Sequence, residues 1–408
     1  MGLLLLALAL PAAASEDYTL GIFGNANEDE TINMQDVTYT ELIILEYRDE
    51  TELADAKYDG RINMQDVTQI ELVILGNEKE LTFLDIYGCA ETVNKPIERL
   101  VNLGYAGVQV TRLLGAEDIL VGIGNHKPLT PYTEQLSKLP RIKDDYEMML
   151  SLKPDAIQTN FGEWKEAYKT PERKRDFEEK VSGIPLIVLH MRAPSVLPGN
   201  LRTYGYIIDR EDAAEDFMDW FDGYLDMMKS RTEGLTDDAK PRVYMEVSGK
   251  PYRAVGSFNR YGEAINLAGG INIVDEIDSK ISFTEVSAEW VMEQNPDVII
   301  VGCHGGERVG GYDVDDPSGM AGVRQEMLER PELANIDAVK DDRVYAMSEE
   351  ILLGAGLTII GCTYMAKAFY PGQFEDIDSE VIHQEYLEFQ GLDFNVKEHG
   401  VFVYPKLT

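Results

Sequence analysis

The sequence predicts an α/β fold: two parallel-sheet lobes bridged by a single long helix, preceded by a small all-α calcium-loop domain. Three observations carry this. First, short runs apolar on both sides, at 99–103, 119–122, 156–159 and 185–189, alternate with helical stretches, which is the pattern of buried parallel strands. The same alternation resumes at 242–247, 298–301 and 344–347. Second, the two sets are separated by an uninterrupted helical stretch at roughly 212–231, with no proline and only Gly223 inside it; at 1.5 Å per residue it would reach ~30 Å, the span of a small domain. Third, residues 32–45 and 62–75 match at 11 of 14 positions, 30 residues apart.

The predicted boundaries follow from these elements. Residues 3–10 form an apolar run followed by small residues, which reads as a secretory signal over 1–15, although the basic start of such a signal is missing. An ordinary buried segment is the competing reading. The run is too short to span a bilayer. The duplicated loops occupy 17–79. A bilobal body fills 80–408, with an N-terminal lobe at 80–195, a bridging region at 196–236 and a C-terminal lobe at 237–408. A chain of 408 residues with 44% apolar content has room for such domains.

The charge narrows the partners. Acidic residues number 73 against 37 basic, a net charge of −36, which argues against nucleic acid or an anionic membrane. Cys89, Cys303 and Cys362 are few and odd in number, so they form no disulfide framework.

Each copy of the duplication reads as a calcium loop followed by a helix. Calcium takes six to eight oxygens from loop positions 1, 3, 5, 7, 9 and 12. The first loop offers Asn25, Asn27, Asp29, the Thr31 carbonyl, Asn33 and Asp36; the second offers Asp55, Asp59, the Arg61 carbonyl, Asn63 and Asp66. A polar turn-helix repeat without metal is the plainer alternative. Over about sixty residues the pattern resembles a dockerin domain, which implies bound calcium and a cohesin domain or surface scaffold as partner. In dockerins the residues before position 12 help in recognition; here those are Met34-Gln35 and Met64-Gln65, identical in both copies. Two departures predict weakened calcium binding, more so in the second loop. Lys57 takes its position 3, and Glu30 takes position 6 of the first loop, where glycine eases the turn.

A second internal echo links the lobes. Residues 147–157 and 289–299 share the pattern E-x6-P-D-[AV]-I, a short helix stopped by Pro154 or Pro296 that feeds a strand. From about Leu81 to the C-terminus the chain resembles the substrate-binding subunits of ABC importers, in the class handling iron-siderophore, haem and cobalamin. The likeness rests on ordered pieces: D-I-Y-G-C-A-E-T-V-N-K-P-I-E-R-L-V at 85–101, L-L-G-A-E-D-I-L-V-G-I at 113–123, G-S-F at 256–258, L-A-G-G-I-N at 267–272, V-S-A-E at 286–289 and D-R-V-Y at 342–345. It implies a ligand held between the lobes, an ABC permease as partner, an extracellular, cell-surface location, and no enzyme activity. It also implies that Glu147 and Glu289 dock into the permease. A charge in the first helical turn that offsets the helix dipole explains both without docking.

Ligands of open α/β sheets bind beyond the carboxyl ends of strands. His126, His190 and His304 fall there, as do Tyr105, Asn160, Phe161, Trp164 and Arg192; Tyr252, Arg253 and Phe258 line the entry to the second lobe. Imidazole suits a transition metal, aromatics cover a flat ligand, and arginine neutralises carboxylate or catecholate oxygens. The mix suits an anionic or macrocyclic metal chelate. Each residue taken singly is equally a packing or surface residue. Two other readings stay open at this point: a free zinc, manganese or nickel site built from the three histidines, and a dockerin-bearing hydrolase, for which no G-x-S-x-G, H-E-x-x-H or Walker loop is present.

Overall fold

The structure is a computed structural model that describes residues 18–128, 130–143, 145–160, 171–181, 183–303 and 309–407. The predicted signal at 1–15 lies outside these residues, as do Phe161, Trp164 and His304. In the N-terminal module, helices α1 (Met34–Ile44) and α2 (Met64–Ile74) pack on each other. Each starts at an asparagine, Asn33 or Asn63, whose side chain accepts from the amide of Gln35 or Gln65. Asp36 or Asp66 accepts in return from that asparagine's own amide, a capping box that closes each loop onto its helix.

A hairpin that the sequence reading missed follows: β1 (Glu80–Leu84) pairs antiparallel with β2 (Ala90–Asn94). It joins the module to the body. The Phe23 amide donates to the Thr82 carbonyl at 2.9 Å and the Leu84 amide to the Gly21 carbonyl at 2.7 Å. Leu20, Ile22, Val67 and Ile70 are buried in one core with Phe83 and Val93. The buried Lys95 ammonium lies 3.0 Å from Glu78 and 2.7 Å from Asp209. Residues 18–78 are therefore packed into the body and do not hang from it on a linker.

The N-terminal lobe runs β3 (Leu100–Asn102), α3 (Tyr105–Leu113), β4 (Leu120–Gly124), α4 (Glu134–Lys138), β5 (Arg141–Ile142), α5 (Tyr146–Ser151), β6 (Ala156–Asn160), α6 (Pro171–Lys180) and β7 (Leu186–Leu189). Its sheet is wholly parallel, in the order β5-β4-β3-β6-β7. All four predicted strands are there. The long helix expected at about 212–231 is the 22-residue α8 (Glu211–Thr232), and a shorter helix that was not expected, α7 (Leu197–Ile207), precedes it and packs against it. They break at Asp209, which is left-handed at φ +56°. Pro198, Gly199 and Gly205 disguise α7 in the sequence, yet proline is tolerated in a first helical turn.

The C-terminal lobe runs β8 (Arg242–Val247), β9 (Arg253–Val255), α9 (Arg260–Leu267), β10 (Ile271–Asn272), β11 (Phe283–Glu285), α10 (Ala288–Gln294), β12 (Val298–Cys303), α11 (Ser318–Leu328), α12 (Asp337–Lys340), β13 (Val344–Ser348), α13 (Leu357–Phe369), α14 (Ser379–Phe389) and β14 (Val403–Tyr404). Here the expectation of a parallel sheet is corrected. The centre, β10, β8, β12 and β13, is parallel, but β9, β11 and β14 pair antiparallel at the edges. These edges are two or three residues long, too short to show an alternation. Every residue of α13 is buried, so this helix is the lobe's internal spine.

Candidate ligand cleft

The strand ends place four of the predicted residues on one wall. Tyr105 opens α3 after β3, His126 follows β4, and His190 and Arg192 follow β7. The Tyr105 and His126 rings are 6.0 Å apart at 71°, and the Arg192 guanidinium lies 4.8 Å above the Tyr105 ring. Glycine at 124 makes this possible: a side chain there would put its first carbon 2.1 Å from the Leu103 carbonyl. Behind His126 stands Tyr132, whose hydroxyl is 3.1 Å from Nδ1. Arg141 covers the Tyr132 ring and donates to the His126 carbonyl at 2.9 Å.

The opposing lobe meets this wall where the chain crosses. The Ala355 amide donates to the Met191 carbonyl at 2.8 Å. A side chain at Gly354, left-handed at φ +91°, would strike the Arg192 backbone at 2.6 Å. The Ser195 amide donates to Glu263 of α9 at 2.9 Å. Next to these contacts Arg260 lies over the Tyr261 ring at 4.5 Å and donates to its hydroxyl at 3.1 Å. His190 feels both guanidinium groups: burial first, then Arg192 and Arg260, push its pKa down to about 4. The result is a run of side chains, Arg260, His190, Arg192, Tyr105, His126 and Tyr132, in which two cations flank the neutral His190 imidazole and the aromatic rings follow beyond Arg192. Arg260, Tyr261 and Tyr132 were missed by the sequence reading. The signal for the first two was at hand, since they come two and three residues after Phe258.

A cavity of about 1070 Å³ opens beside His190, walled by Ile86, Leu189, Val196, Leu225 and Leu267. Ligand pockets run to about 300–1,000 Å³, but of the wall residues only His190 lines this cavity, the rest of its lining coming from residues such as Tyr18, Gly21, Gly199 and Lys229. Asp222 of α8 faces it, its carboxyl raised to about 6 by burial.

Other predicted residues go elsewhere. Asn160 is buried and accepts from Gln158 at 3.1 Å. Tyr252 is drawn into the body of the C-terminal lobe: its ring lies under Arg330 and its hydroxyl donates to Glu332. Arg253 covers the Phe283 ring at 5.0 Å. Phe258 is 72% exposed, ahead of α9.

Glu147 and Glu289 are both exposed in first helical turns. The caps of those helices are made by others, Asp145 accepting from the Met148 amide and Ser287 from the Trp290 amide.

The two N-terminal loops differ in how well they fit a cation. In the first, Asn25 is wholly buried, its Oδ1 has no hydrogen-bond partner, and its Nδ2 donates to the carbonyls of Leu20 and Asp29. Asp36 accepts from the Asn27 and Asn33 amides, and burial raises its carboxyl pKa. Asp29 bridges the loop, accepting from Thr31 at 2.8 Å and from Asn27 Nδ2 at 2.6 Å. An unpaired buried oxygen beside carboxylates fits a cation. In the second loop both Asp55 oxygens accept amides, from Asp59 and Gly60, and Asp59 accepts from the Arg61 amide. Lys57 donates its amide to Asp66, and Asn63 Nδ2 donates to the Arg61 carbonyl. That loop is satisfied by its own hydrogen bonds and fits a cation less well. The expected glycine position also differs. Both loops turn through a left-handed residue at the equivalent place, Glu28 at φ +59° and Tyr58 at φ +51°, and the second adds Gly60 at φ +83°, whereas Glu30 is not left-handed. Among the described residues no cluster of three or more His, Cys, Asp or Glu is arranged to hold a metal ion, so any calcium here leans on amide and carbonyl oxygens.

Comparison with known proteins bears on the body. Residues 100–351 match the model of the family described as periplasmic binding protein. The chain is similar to the uncharacterized ABC transporter substrate-binding lipoprotein YvrC of Bacillus subtilis, 20% identical over 289 residues, covering 70% of this chain and 84% of that one. It is 27% identical over 230 residues to a cobalamin-binding protein of Halobacterium salinarum, covering 53% of this chain and 57% of the relative. Among solved structures, the TroA-like periplasmic binding protein FepB from Veillonella parvula superposes with a TM-score of 0.64 at 20% identity, over 79% of this chain and 98% of that one. The periplasmic heme-binding protein RhuT from Roseiflexus sp. RS-1 gives 0.51 at 23% identity, over 68% and 99%.

Proposed function

The chain belongs to the periplasmic binding protein family and is the substrate-binding subunit of an ABC transporter, not an enzyme; on that premise we propose that it captures an anionic metal chelate, an iron-siderophore or haem complex or a corrinoid, between its lobes and hands it to a permease. The single observation behind the cargo is the wall itself, on which Arg192 and Arg260 flank His190 while Tyr105 offers a flat face beside them. Two guanidinium groups favour carboxylate or catecholate oxygens, and an aromatic face covers a planar ligand. The names of relatives that bind cobalamin and heme point the same way. A free zinc, manganese or nickel ion is disfavoured, because His190 stands between two fixed cations. Binding of ferric siderophores, haem and corrinoids to the purified protein, followed by absorbance, tests the reading. Tight binding of one, weakened at least tenfold in Arg192→Ala with Arg260→Ala, is expected; no binding of any overturns it.

The finer assignment is attachment. The first N-terminal loop holds calcium, and the module presents a cohesin-type partner with Met34 and Met64, exposed by 58% and 57% at equivalent places on the two helices. The protein is then extracellular and held at the cell surface. Retention on cells that is lost with a chelator and with Met34→Asp plus Met64→Asp supports this; retention unchanged by both removes it.

A further inference from the structure

The cavity beside His190 has a chemistry opposite to that of the cleft wall. It lies where the 18–21 segment of the N-terminal module meets the turn at 84–88, the start of α7, the second half of α8 and the end of α9. The module's share is fixed in place. The Thr19 hydroxyl donates to the Glu28 carbonyl at 3.0 Å. The Tyr18 ring rests on Gly199, where a first side-chain carbon would come 2.9 Å from it. Several polar groups of the lining already have partners. Asn200 accepts the His190 amide at 3.0 Å and donates to the Val196 carbonyl at 2.7 Å. Asn266 donates to Ser257 and Asp275, and Asp85 lies 2.9 Å from the Lys174 ammonium. Two carboxylates of α8 remain. Asp222 and Asp226 are one turn apart on the face that lines the cavity. Asp222 reaches Arg202 only at 3.8 Å, and that guanidinium gives its bonds of 2.7 and 3.1 Å to Glu215. Burial raises the Asp222 carboxyl, Arg202 opposes this, and Asp226 adds to it. Lys229, itself exposed, is the only ammonium or guanidinium among the described lining residues.

We propose that this cavity is a second ligand site, distinct from the cargo cleft, and that it takes an organic cation with an apolar body, such as a long-chain amine, whose ammonium group sits on Asp222 and Asp226. An apolar pocket with a few placed polar groups is what a small-molecule site requires. Leu84, Ile86, Leu189, Leu225 and Leu267 cover the body of the ligand. Ammonium–carboxylate bonds are charge-assisted, and two like charges on one helix face have most to gain from a cation between them. The cleft wall selects the reverse, since Arg192 and Arg260 favour an anion. The lining joins β7, α8 and α9, so an occupant touches both lobes and the module at once. The site is complete only because the module is packed against α7.

The test uses the full chain and three probes of one chain length that differ in charge: decylamine, decanol and decanoate, titrated by calorimetry near neutral pH and below micelle formation. The proposal expects a single saturable site for decylamine, at least tenfold tighter than for decanol or decanoate. It expects Asp222→Asn with Asp226→Asn to weaken decylamine at least tenfold and to leave decanol binding and the melting temperature unchanged. That split separates the pair from the diffuse negative charge of the whole chain, which the variant barely alters. Equal decylamine binding in wild type and the double variant overturns the proposal. Tighter binding of decanoate, or no binding of decylamine, does the same. Competition between decylamine and a bound chelate would place both in one site and also overturns it. Chelate binding is read separately, so the cargo reading stands or falls on its own.

Discussion

The two lobes contain one element twice, and comparing the copies separates what the fold needs from what it does not. In the N-terminal lobe, α5 ends at Ser151 and the chain turns at Lys153, left-handed at φ +47°, before Pro154 and Asp155; in the C-terminal lobe, α10 ends at Gln294 and the chain turns at Asn295, at φ +42°, before Pro296 and Asp297. Asp155 accepts from the Glu98 and Arg99 amides just before β3, and Asp297 accepts from the Arg242 amide at the start of β8. Each aspartate ties an incoming strand to its neighbour. The caps, prolines and aspartates all have structural work. The glutamates are not needed for the caps, although Glu289 accepts from its own amide and from the Ser287 hydroxyl, which lowers its carboxyl pKa. An exposed acid recurring in the first helical turn of both lobes is placed where a docking contact would use it.

That comparison breaks first at function. Glu147→Ala with Glu289→Ala is expected to leave cargo binding and folding unchanged, surface changes staying within about 0.5 kcal/mol, while uptake through the permease collapses. Each lost docking pair costs about 2 kcal/mol or more, roughly 30-fold in affinity. Uptake by cells carrying wild type and the single and double variants decides it, and uptake in the double variant equal to wild type removes the docking assignment.

The lobes differ in how they hold a buried cation, and this sets the next two effects. In the N-terminal lobe Arg112 is held by neutral oxygens, from Gln109, Gln390 and the Pro131 carbonyl, and burial lowers its pKa. In the C-terminal lobe Arg330 makes two bonds of 2.9 and 2.7 Å to the buried Glu246 carboxylate. Glu246→Ala strands that guanidinium and the Tyr244 hydroxyl together, for a loss of about 3–5 kcal/mol in chemical denaturation. A loss under about 1 kcal/mol would mean the pair is dispensable. Acid attacks the same lobe. His383 is fully buried, bonded at 2.6 Å to the Tyr312 hydroxyl, and burial lowers its pKa to about 3. The unfolded chain takes up this proton below about pH 6.5 and the folded one does not, so stability is complete above that pH and falls as pH drops towards 3, by about 2 kcal/mol between pH 7 and 5. His383→Gln removes this share of the slope; an unchanged slope would place the acid lability elsewhere.

Legibility followed burial and length. The central strands and α8 showed in the sequence because long apolar or helical runs survive any context, and the E-x6-P-D echo showed because its spacing is local. The edges β9, β11 and β14 did not, since a strand of two or three residues carries no period, and the β1–β2 hairpin, five residues a strand, was missed because its burial does not alternate. The cleft was half legible. Strand ends pointed to Tyr105, His126, His190 and Arg192, but the same rule could not see that Tyr252 would turn under Arg330, or that Arg260 at the start of α9 would reach across to His190. Those placements depend on how the lobes close, which no local pattern encodes. The packing of residues 18–78 into the body was hidden for the same reason, because it hangs on the pairing of Gly21 and Phe23 with a hairpin that had not been recognised.

The smallest effect tests the echo most sharply. Asp155→Ala releases two amides where the chain is exposed, and Asp297→Ala releases one that is partly buried. Exposed amides recover hydrogen bonds from water and a buried one does not, so the two substitutions should cost similar amounts, about 1–2 kcal/mol each. If the lobes unfold as one cooperative unit, the double variant should show the sum of the singles within about 0.5 kcal/mol. The clasp of the Met191 carbonyl by the Ala355 amide and the seating of Ser195 on Glu263 would then be holding the lobes together even without cargo. A shortfall larger than that, with each single shifting a different transition, would mean the lobes unfold separately.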